Sequence, residues 1–314
     1  TAFKVFDGLK EEGLIASRSG SGTYVTKSGS SRTIGLILAG SSRYEYFRPV
    51  ASELSRLALD AGYALLFSNV DSSSMSECRR KIRELAADCI KRRIAGVIFH
   101  PMEFADKDDS TNAEVVSAFD HARTPVVLFD SDIFAPPDES EHDVVSIDNF
   151  AAAERITNHL FDAGARNVHL LMLPEWLPNG KNRERGFLSA LALHHVRHPV
   201  SNILVARPND LNAVRKYMCR RPRPDAFVCQ HDEVAAVFKQ TLEKLNLRVP
   251  EDVMLAGFDG LEISRLVSPP LTPIYQPYDK VAQTIFQRLI QRMANPDLPP
   301  TRFYLPGKLL VRES

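Results

Sequence analysis

Polar and aromatic residues recur just past the apolar runs of this chain. Ser41-Ser42-Arg43-Tyr44 follows Thr33–Ala39, His100 follows Gly96–Phe99, and Asp130 follows Pro125–Phe129. Trp176 stands soon after Leu173, Gln230-His231-Asp232 follows Cys229, and Asp259 follows Gly257-Phe258. Such side chains exchange hydrogen bonds or stack on flat apolar faces, which is the chemistry of holding a polar small molecule. Any one of them is equally at home in a solvated loop. Together they describe the lining of a cleft. None is a nucleophile with a local base, and no phosphate-cradling glycine loop, nucleophile elbow or H-E-x-x-H pair occurs. The chain is therefore read as non-enzymatic, without cofactor. His194, His195 and His198 lack carboxylate partners and read as a solvated helix end, not a metal site. Lys91-Arg92-Arg93 and Arg220-Arg221-Pro222-Arg223 each fall between a helix and the next strand and read as exposed turns.

The elements that must position these residues alternate from Thr33 onward. Apolar strands are expected at Thr33–Ala39, Ala64–Ser68, Gly96–Phe99, Pro125–Phe129 and Val144–Ile147. After Asn149 the theme repeats at Val168–Leu173, Ile203–Ala206, Ala226–Cys229 and Val253–Gly257. Helices are expected between them at Phe47–Ala61, Cys78–Ile90, Phe150–Ala163, Arg183–His194, Glu233–Leu245 and Asp279–Met293. In the first of these Val50, Leu54, Leu57, Ala58 and Ala61 form one stripe. Continuous apolar strands between amphipathic helices imply parallel sheets covered on both faces. Two such sets on either side of Asp148 imply two Rossmann-like lobes. Ligands of open parallel sheets bind beyond the carboxyl ends of the strands, which is where the polar residues stand.

Composition bounds the reading. The 314 residues exceed one average domain, and 44% hydrophobic with 25% charged residues allow a sizeable core. The 39 basic and 39 acidic residues cancel, so any nucleic-acid contact must come from a local patch. Cys78, Cys89, Cys219 and Cys229 have no C-x-x-C spacing and read as reduced thiols of a cytoplasmic protein. No apolar run approaches the roughly 20 residues of a membrane span, and no signal peptide precedes the body.

The first residues follow a different pattern. Ala2, Val5, Phe6 and Leu9 share one helical face, and Thr1–Ile15 is expected to be a helix. Leu14–Ser17 and Thr23–Thr26 can pair across Arg18–Gly22, with Gly20 and Gly22 supplying a tight turn. Residues 1–26 resemble the last helix and wing of a GntR-type winged helix-turn-helix, the family's earlier helices being absent from the sequence. The resemblance implies that Thr1 and Lys4 meet phosphates or base edges, with Arg18, Ser19 and Gly20 at the wing tip. The alternative is a hairpin that merely caps the body. Residues 27–31 read as a linker.

From Thr33 onward the chain resembles the effector domain of LacI/GalR repressors, itself similar to periplasmic sugar-binding proteins. The motifs are Thr33-Ile34-Gly35-Leu36-Ile37, Ala61-Gly62-Tyr63, Ala95-Gly96-Val97-Ile98, Val145-Ser146-Ile147-Asp148-Asn149, Arg183-x-x-Gly186-Phe187, Gly257-Phe258-Asp259 and Pro269-Pro270-Leu271-Thr272-Pro273-Ile274. A GntR-type head on this body resembles the arabinose-repressor arrangement. The resemblance implies an effector domain over 32–314, with a first lobe of about 32–148 plus 277–295 and a second of about 149–276 plus 296–314. It implies that Arg183 and Asp259 hold ligand hydroxyls from opposite sides, a guanidinium fork donating and a carboxylate accepting. The alternative for this pair is a salt bridge that closes the lobes. His231 stands where the family carries asparagine. Asp148, Asn149, Arg43, Tyr44, His100, Glu103 and Gln276 occupy further rim positions, and Trp176 either stacks on a sugar or fills a loop. The implied function is a dimeric repressor, with no membrane partner, that binds operator DNA and answers to a monosaccharide. The rival is a transport-type sugar-binding protein without a DNA head.

Overall fold

In the computed structural model the expected alternation builds two six-stranded sheets. The structure describes residues 15–18, 22–25, 32–39, 44–70, 74–102, 109–134, 137–174 and 178–314. At the front, β1 (Ile15–Arg18) and β2 (Gly22–Val25) form an antiparallel hairpin, with Ile15 opposite Val25 and Arg18 opposite Gly22. This is the expected register, extended by one pair toward the turn. Ile15, at the overlap of the expected helix and the expected strand, opens the strand. Residues 1–14, 19–21 and 26–31 lie outside the described residues, and with them Thr1, Lys4, Ser19, Gly20 and the linker.

The first sheet uses β3 (Thr33–Ala39), β4 (Ala64–Val70), β5 (Gly96–His100), β6 (Val126–Phe129), β7 (Asp143–Ile147) and β13 (Arg302–Leu305). Their order is β13-β7-β6-β5-β3-β4, all parallel. One face packs on α1 (Tyr44–Asp60) and α9 (Tyr278–Ala294). The other packs on α2 (Met75–Lys91) and α3 (Thr111–His121). Strands β5, β6 and β7 are buried at every residue, as a sheet covered on both faces requires.

The second sheet has the order β14-β12-β11-β10-β8-β9. Its strands are β8 (Val168–Met172), β9 (Ile203–Val205), β10 (Ala226–Cys229), β11 (Met254–Asp259), β12 (Thr272–Tyr275) and β14 (Lys308–Leu309), the last antiparallel to β12. One face packs on α4 (Asn149–Asp162) and α5 (Pro178–Leu193). The other packs on α6 (Leu211–Met218) and α7 (Asp232–Lys244), with α8 (Ile263–Leu266) close by.

The chain crosses between the sheets three times: from β7 to α4, from β12 to α9, and from β13 to β14. The third crossing corrects the expected boundary. Residues 296–305 belong with the first lobe, not the second. Asp143 is fully buried there, with Arg288 Nε at 2.9 Å and Arg292 Nη2 at 2.7 Å. It also accepts from Thr301 N at 2.7 Å, and Arg288 donates to Pro299 O. Two guanidiniums on α9 therefore strap the 296–301 segment onto the first sheet and deliver Arg302 to its edge. The sequence hides this because β13 is a short, half-exposed edge strand with no helix following it. Helix α3 and helix α6 were likewise not anticipated.

One buried group in the second lobe makes stability depend on pH. His169 on β8 is buried, its Nδ1 2.8 Å from the Tyr217 hydroxyl. Burial, with a smaller contribution from Arg220, pushes its pKa down to about 4. An unfolded histidine titrates near ~6.5. Between these values the unfolded chain binds the extra proton, so stability is full above the upper value and falls as pH drops toward the lower one. The loss amounts to roughly 3 kcal/mol at ~1.4 kcal/mol per pKa unit. Urea unfolding of the wild type at pH 7 and pH 4.5 is expected to show most of this fall, and His169→Gln is expected to remove it. Equal pH dependence in both proteins would contradict the assignment.

Candidate functional site

A web of buried polar side chains lies where the chain passes between the lobes, at the carboxyl ends of both sheets. At its centre is Arg183, the fifth residue after Pro178 in α5. Its Nε donates to Asn149 Oδ1 at 2.7 Å, and its Nη1 donates to the Gln230 carbonyl. Its Nη2 lies 3.7 Å from Asp259 Oδ1, and its guanidinium covers the Phe258 ring at 4.1 Å. The motif Arg183-x-x-Gly186-Phe187 explains the reach. Phe187 is fully buried in the second lobe's core. A Cβ on Gly186 would stand 2.1 Å from the Phe150 carbonyl oxygen. Glycine there lets α5 lie against α4, and that approach carries Arg183 onto Asn149.

Asp259 ends β11 with φ 99°, a backbone region that L-residues adopt only at a cost. Its Oδ1 accepts from Gln276 Nε2 at 2.8 Å, and its carbonyl accepts from the Tyr278 hydroxyl. From the first lobe, Asp130 follows β6 with φ 67°. The Tyr46 hydroxyl lies 2.7 Å from Asp130 Oδ1 and 2.9 Å from Gln276 Oε1, and its single proton serves either acceptor. Asp130 Oδ2 accepts from Asn179 Nδ2 at 2.9 Å and has His100 Nε2 at 3.7 Å. The His100 ring packs edge-on against Phe47, and its buried Nδ1 has no hydrogen-bond partner among the described residues. Asn179 sits on α5 and Asp130 on the first sheet, so their bond joins the two lobes directly.

Among the residues expected from sequence, Arg183, Asp259, Asn149, Gln276 and His100 come together in this web. Asp148 does something else: its carboxylate caps α4 by accepting from Ala151 N at 2.9 Å. His231 caps α7, with Nδ1 3.4 Å from Val234 N and 3.6 Å from Glu233 Oε2. It lines a separate hollow with Leu173, Arg207 and Asn209. Arg43, Glu103 and Trp176 lie outside the described residues. Of Tyr44 and Arg18 only the backbone is described, opening α1 and closing β1. Tyr46 and Asn179 are not among the residues expected from sequence, and Asp130 was expected only as part of the cleft lining. The signals were present: Asn179 precedes Arg183 by one helical turn, Tyr46 precedes Val50 by one turn on the buried face of α1, and Asp130 follows a strand directly.

The partner residue of His231, Asp232, is fully buried behind the Asp259 turn. Burial and the nearby charge of Asp259 hold its carboxyl well above the usual range. The described residues contain no cluster of three or more His, Cys, Asp or Glu arranged to hold a metal ion. No described helix is long and apolar enough to cross a membrane. Among the described residues the arrangement offers hydrogen-bond donors and acceptors from both lobes.

The periplasmic binding protein-like domain family matches residues 157–314, half of the chain. The chain belongs to this family. Two lobes joined by three crossings, each with a predominantly parallel sheet, are the periplasmic-binding-protein-like architecture. Among curated relatives, the HTH-type transcriptional repressor PurR of Photobacterium profundum is 24% identical over 293 residues, covering 92% of this chain and 82% of that protein. Among solved structures, a transcriptional regulator CelR–cellobiose complex shares 20% identity with a TM-score of 0.78, covering 99% of this chain and 89% of that one. A periplasmic binding protein/LacI transcriptional regulator from Alkaliphilus metalliredigens, complexed with D-xylulofuranose, shares 23% identity with a TM-score of 0.71 over 90% of this chain and 98% of its own. At these identities the structural likeness is one of fold.

The inter-lobe bond of this periplasmic-binding-protein-like chain can be tested alone. Asn179→Ala leaves Asp130 Oδ2 without its amide donor, and a hydrogen bond to a charged group contributes about 2 kcal/mol. The variant is expected to unfold at lower denaturant by about that amount and to show a larger radius of gyration in small-angle scattering. An unchanged radius would mean that this bond does not hold the lobes together.

Proposed function

We propose that this chain is the effector-binding body of a DNA-binding transcriptional repressor, and that a small sugar held between its lobes sets operator affinity. The observation that carries the reading is the polar web, drawn from both lobes at once and centred on one guanidinium and two carboxylates. Vicinal hydroxyls both donate and accept. Arg183, Asn149, Asn179 and Gln276 offer donors to them, while Asp130 and Asp259 offer acceptors, with His100 serving in either role. These groups satisfy one another, so an effector acts by exchanging those bonds for its own. Arg43, Tyr44, Glu103 and Trp176 belong to the segments that would complete the rim, with Asp148 and His231 behind it. The relatives named repressors, and the related structures holding cellobiose and a xylulofuranose, support a sugar-responsive regulator over a transport protein of the same body.

The DNA-reading part of the proposal rests on residues 1–26. Their likeness to a GntR-type wing gives Thr1, Lys4, Arg18, Ser19 and Gly20 the contacts to operator DNA. Phosphate contacts fix register and base contacts choose sequence. A homodimer would place two such heads on a palindromic site, where half-site spacing must match head separation. Lobe movement at the effector site would change that separation. The setting is the cytoplasm, where operator DNA is.

Linkage requires effector and operator to weaken each other's binding by one common factor. A thermal-shift panel beginning with cellobiose, D-xylulose and D-ribose identifies a ligand of the folded state. Calorimetric titration of that ligand is then expected to give weaker binding in the presence of operator. Equal affinity with and without operator would refute the coupling. Arg183→Ala and Asp259→Ala are each expected to abolish the response while leaving operator binding largely intact. Normal responses in both variants would move the site elsewhere.

A further inference from the structure

Asp232 is a buried acid beside the web that the proposed function does not use. It opens α7 in the second lobe and is fully buried. It faces away from the cleft, toward the back of the turn that carries Asp259. Its Oδ2 accepts from Leu261 N at 2.8 Å, and the Gly260 N–H is also turned to it. Its Oδ1 is buried without a hydrogen-bond partner among the described residues. That oxygen stands where a side chain on residue 257 would go: a Cβ on Gly257 would lie 2.5 Å from it. The charged groups around Asp232 are Asp259 on β11 and Arg312 in the carboxyl-terminal segment.

The turn held in this way has two ends. Asp259, at φ 99°, aims its carboxylate at Arg183 and Gln276. Leu261, two residues on, is buried in the first lobe's apolar cluster together with Tyr46, Phe47, Val50 and Tyr278. An unfavourable φ persists only where its surroundings over-determine it. The Leu261 N–H, accepted by the buried Asp232 carboxyl, does this at the turn, with the Gly260 N–H turned toward the same group.

We infer that Asp232 is a positioning residue, whose carboxylate clamps the 259–261 turn so that the Asp259 carboxylate and the Leu261 plug move as one rigid piece. In the unclamped turn Asp259 could relax without disturbing the first lobe. In the clamped turn, displacement of Asp259 is carried into the apolar contact with α1 and α9. The consequence for effector response rests on the reading of Asp259 given above; the clamp itself does not.

The test therefore reads the turn without any effector. Crystal structures of Asp232→Ala and Asp232→Asn are compared with that of the unaltered chain, and amide exchange is followed at Leu261. In Asp232→Ala, Asp259 is expected to leave its positive φ and to move beyond its 3.7 Å approach to Arg183. Leu261 N–H is expected to exchange at least tenfold faster relative to Ala151 N–H, which the Asp148 cap holds in the same lobe. Asp232→Asn keeps an acceptor oxygen and is expected to retain the turn and the slow exchange, which a general loss of stability would not allow. Gly257→Ala provides a second route, since its methyl drives the Asp232 carboxylate aside without removing it, and it is expected to reproduce the alanine result. If Asp232→Ala does not fold, Gly257→Ala and Asp232→Asn decide. An Asp259 turn and Leu261 exchange rate unchanged in Asp232→Ala, or in Gly257→Ala with its carboxylate displaced, would overturn the inference. A lost turn with unchanged sugar response would uphold the clamp and overturn the effector role of Asp259 instead.

Discussion

A guanidinium removed from water must be met on every side, and in this chain that requirement organises the junction between the lobes. Arg183 is almost wholly buried. The desolvation cost of such a group is several kcal/mol, and attraction to a single carboxylate seldom offsets it. Here the offset is distributed: an amide oxygen from α4, a backbone carbonyl beyond β10, an aspartate at the end of β11, and the face of Phe258. These four come from three separate pieces of the second lobe, since Phe258 and Asp259 share β11, so the lobe must be correctly assembled before the charge is satisfied. The close approach of α5 to α4 at Gly186 makes that assembly possible.

A second constraint follows from the three crossings. Each passes near the web: Asn149 stands just after the first, Gln276 at the second, and β13 leads into the third. Groups proposed to hold a ligand are thus carried by the same short segments that join the lobes. Asp130 and Asn179 add a direct bond across the gap. Leu261, buried among first-lobe residues, adds an apolar contact a few residues from Asp259. Polar and apolar contacts between the lobes are therefore tied to one turn. Under the proposed function, capture of a ligand and the relative position of the lobes are one equilibrium, because a ligand shifts a conformational balance only through its differential contacts with the two states.

The regular elements were legible because each obeys a local rule. Thr33–Ala39 and Ala226–Cys229 are strands at the expected residues, since an unbroken apolar run bounded by polar residues has few other places to go. The elements that escaped are those without a local signature. Helix α6 is eight residues long, and β13 is a short edge strand whose place depends on Arg288 and Arg292, ten or more residues away. Asp148 and His231 were legible as polar residues at strand ends, but their side chains turn back to cap their own helices. A residue at a helix start can serve the backbone or the cleft, and the sequence does not distinguish these.

By itself, then, the order of apolar runs and amphipathic stripes determined the α/β class, the two lobes and the end of each sheet at which polar residues gather, because burial of a periodic face is decided within a dozen residues. The motifs around Arg183 and Asp259 added, through family resemblance, which two charges to watch. Only the tertiary structure decided which polar groups meet. Tyr46, Asp130 and Gln276 are separated by up to 230 positions yet share one hydroxyl proton. It also decided that residues 296–305 belong to the first lobe and that Asp232 serves the turn behind the cleft. Hydrogen bonds and ion pairs act over a few ångströms, and the distances that matter to them are set by how whole sheets and helices pack, which no stretch of residues read in order contains.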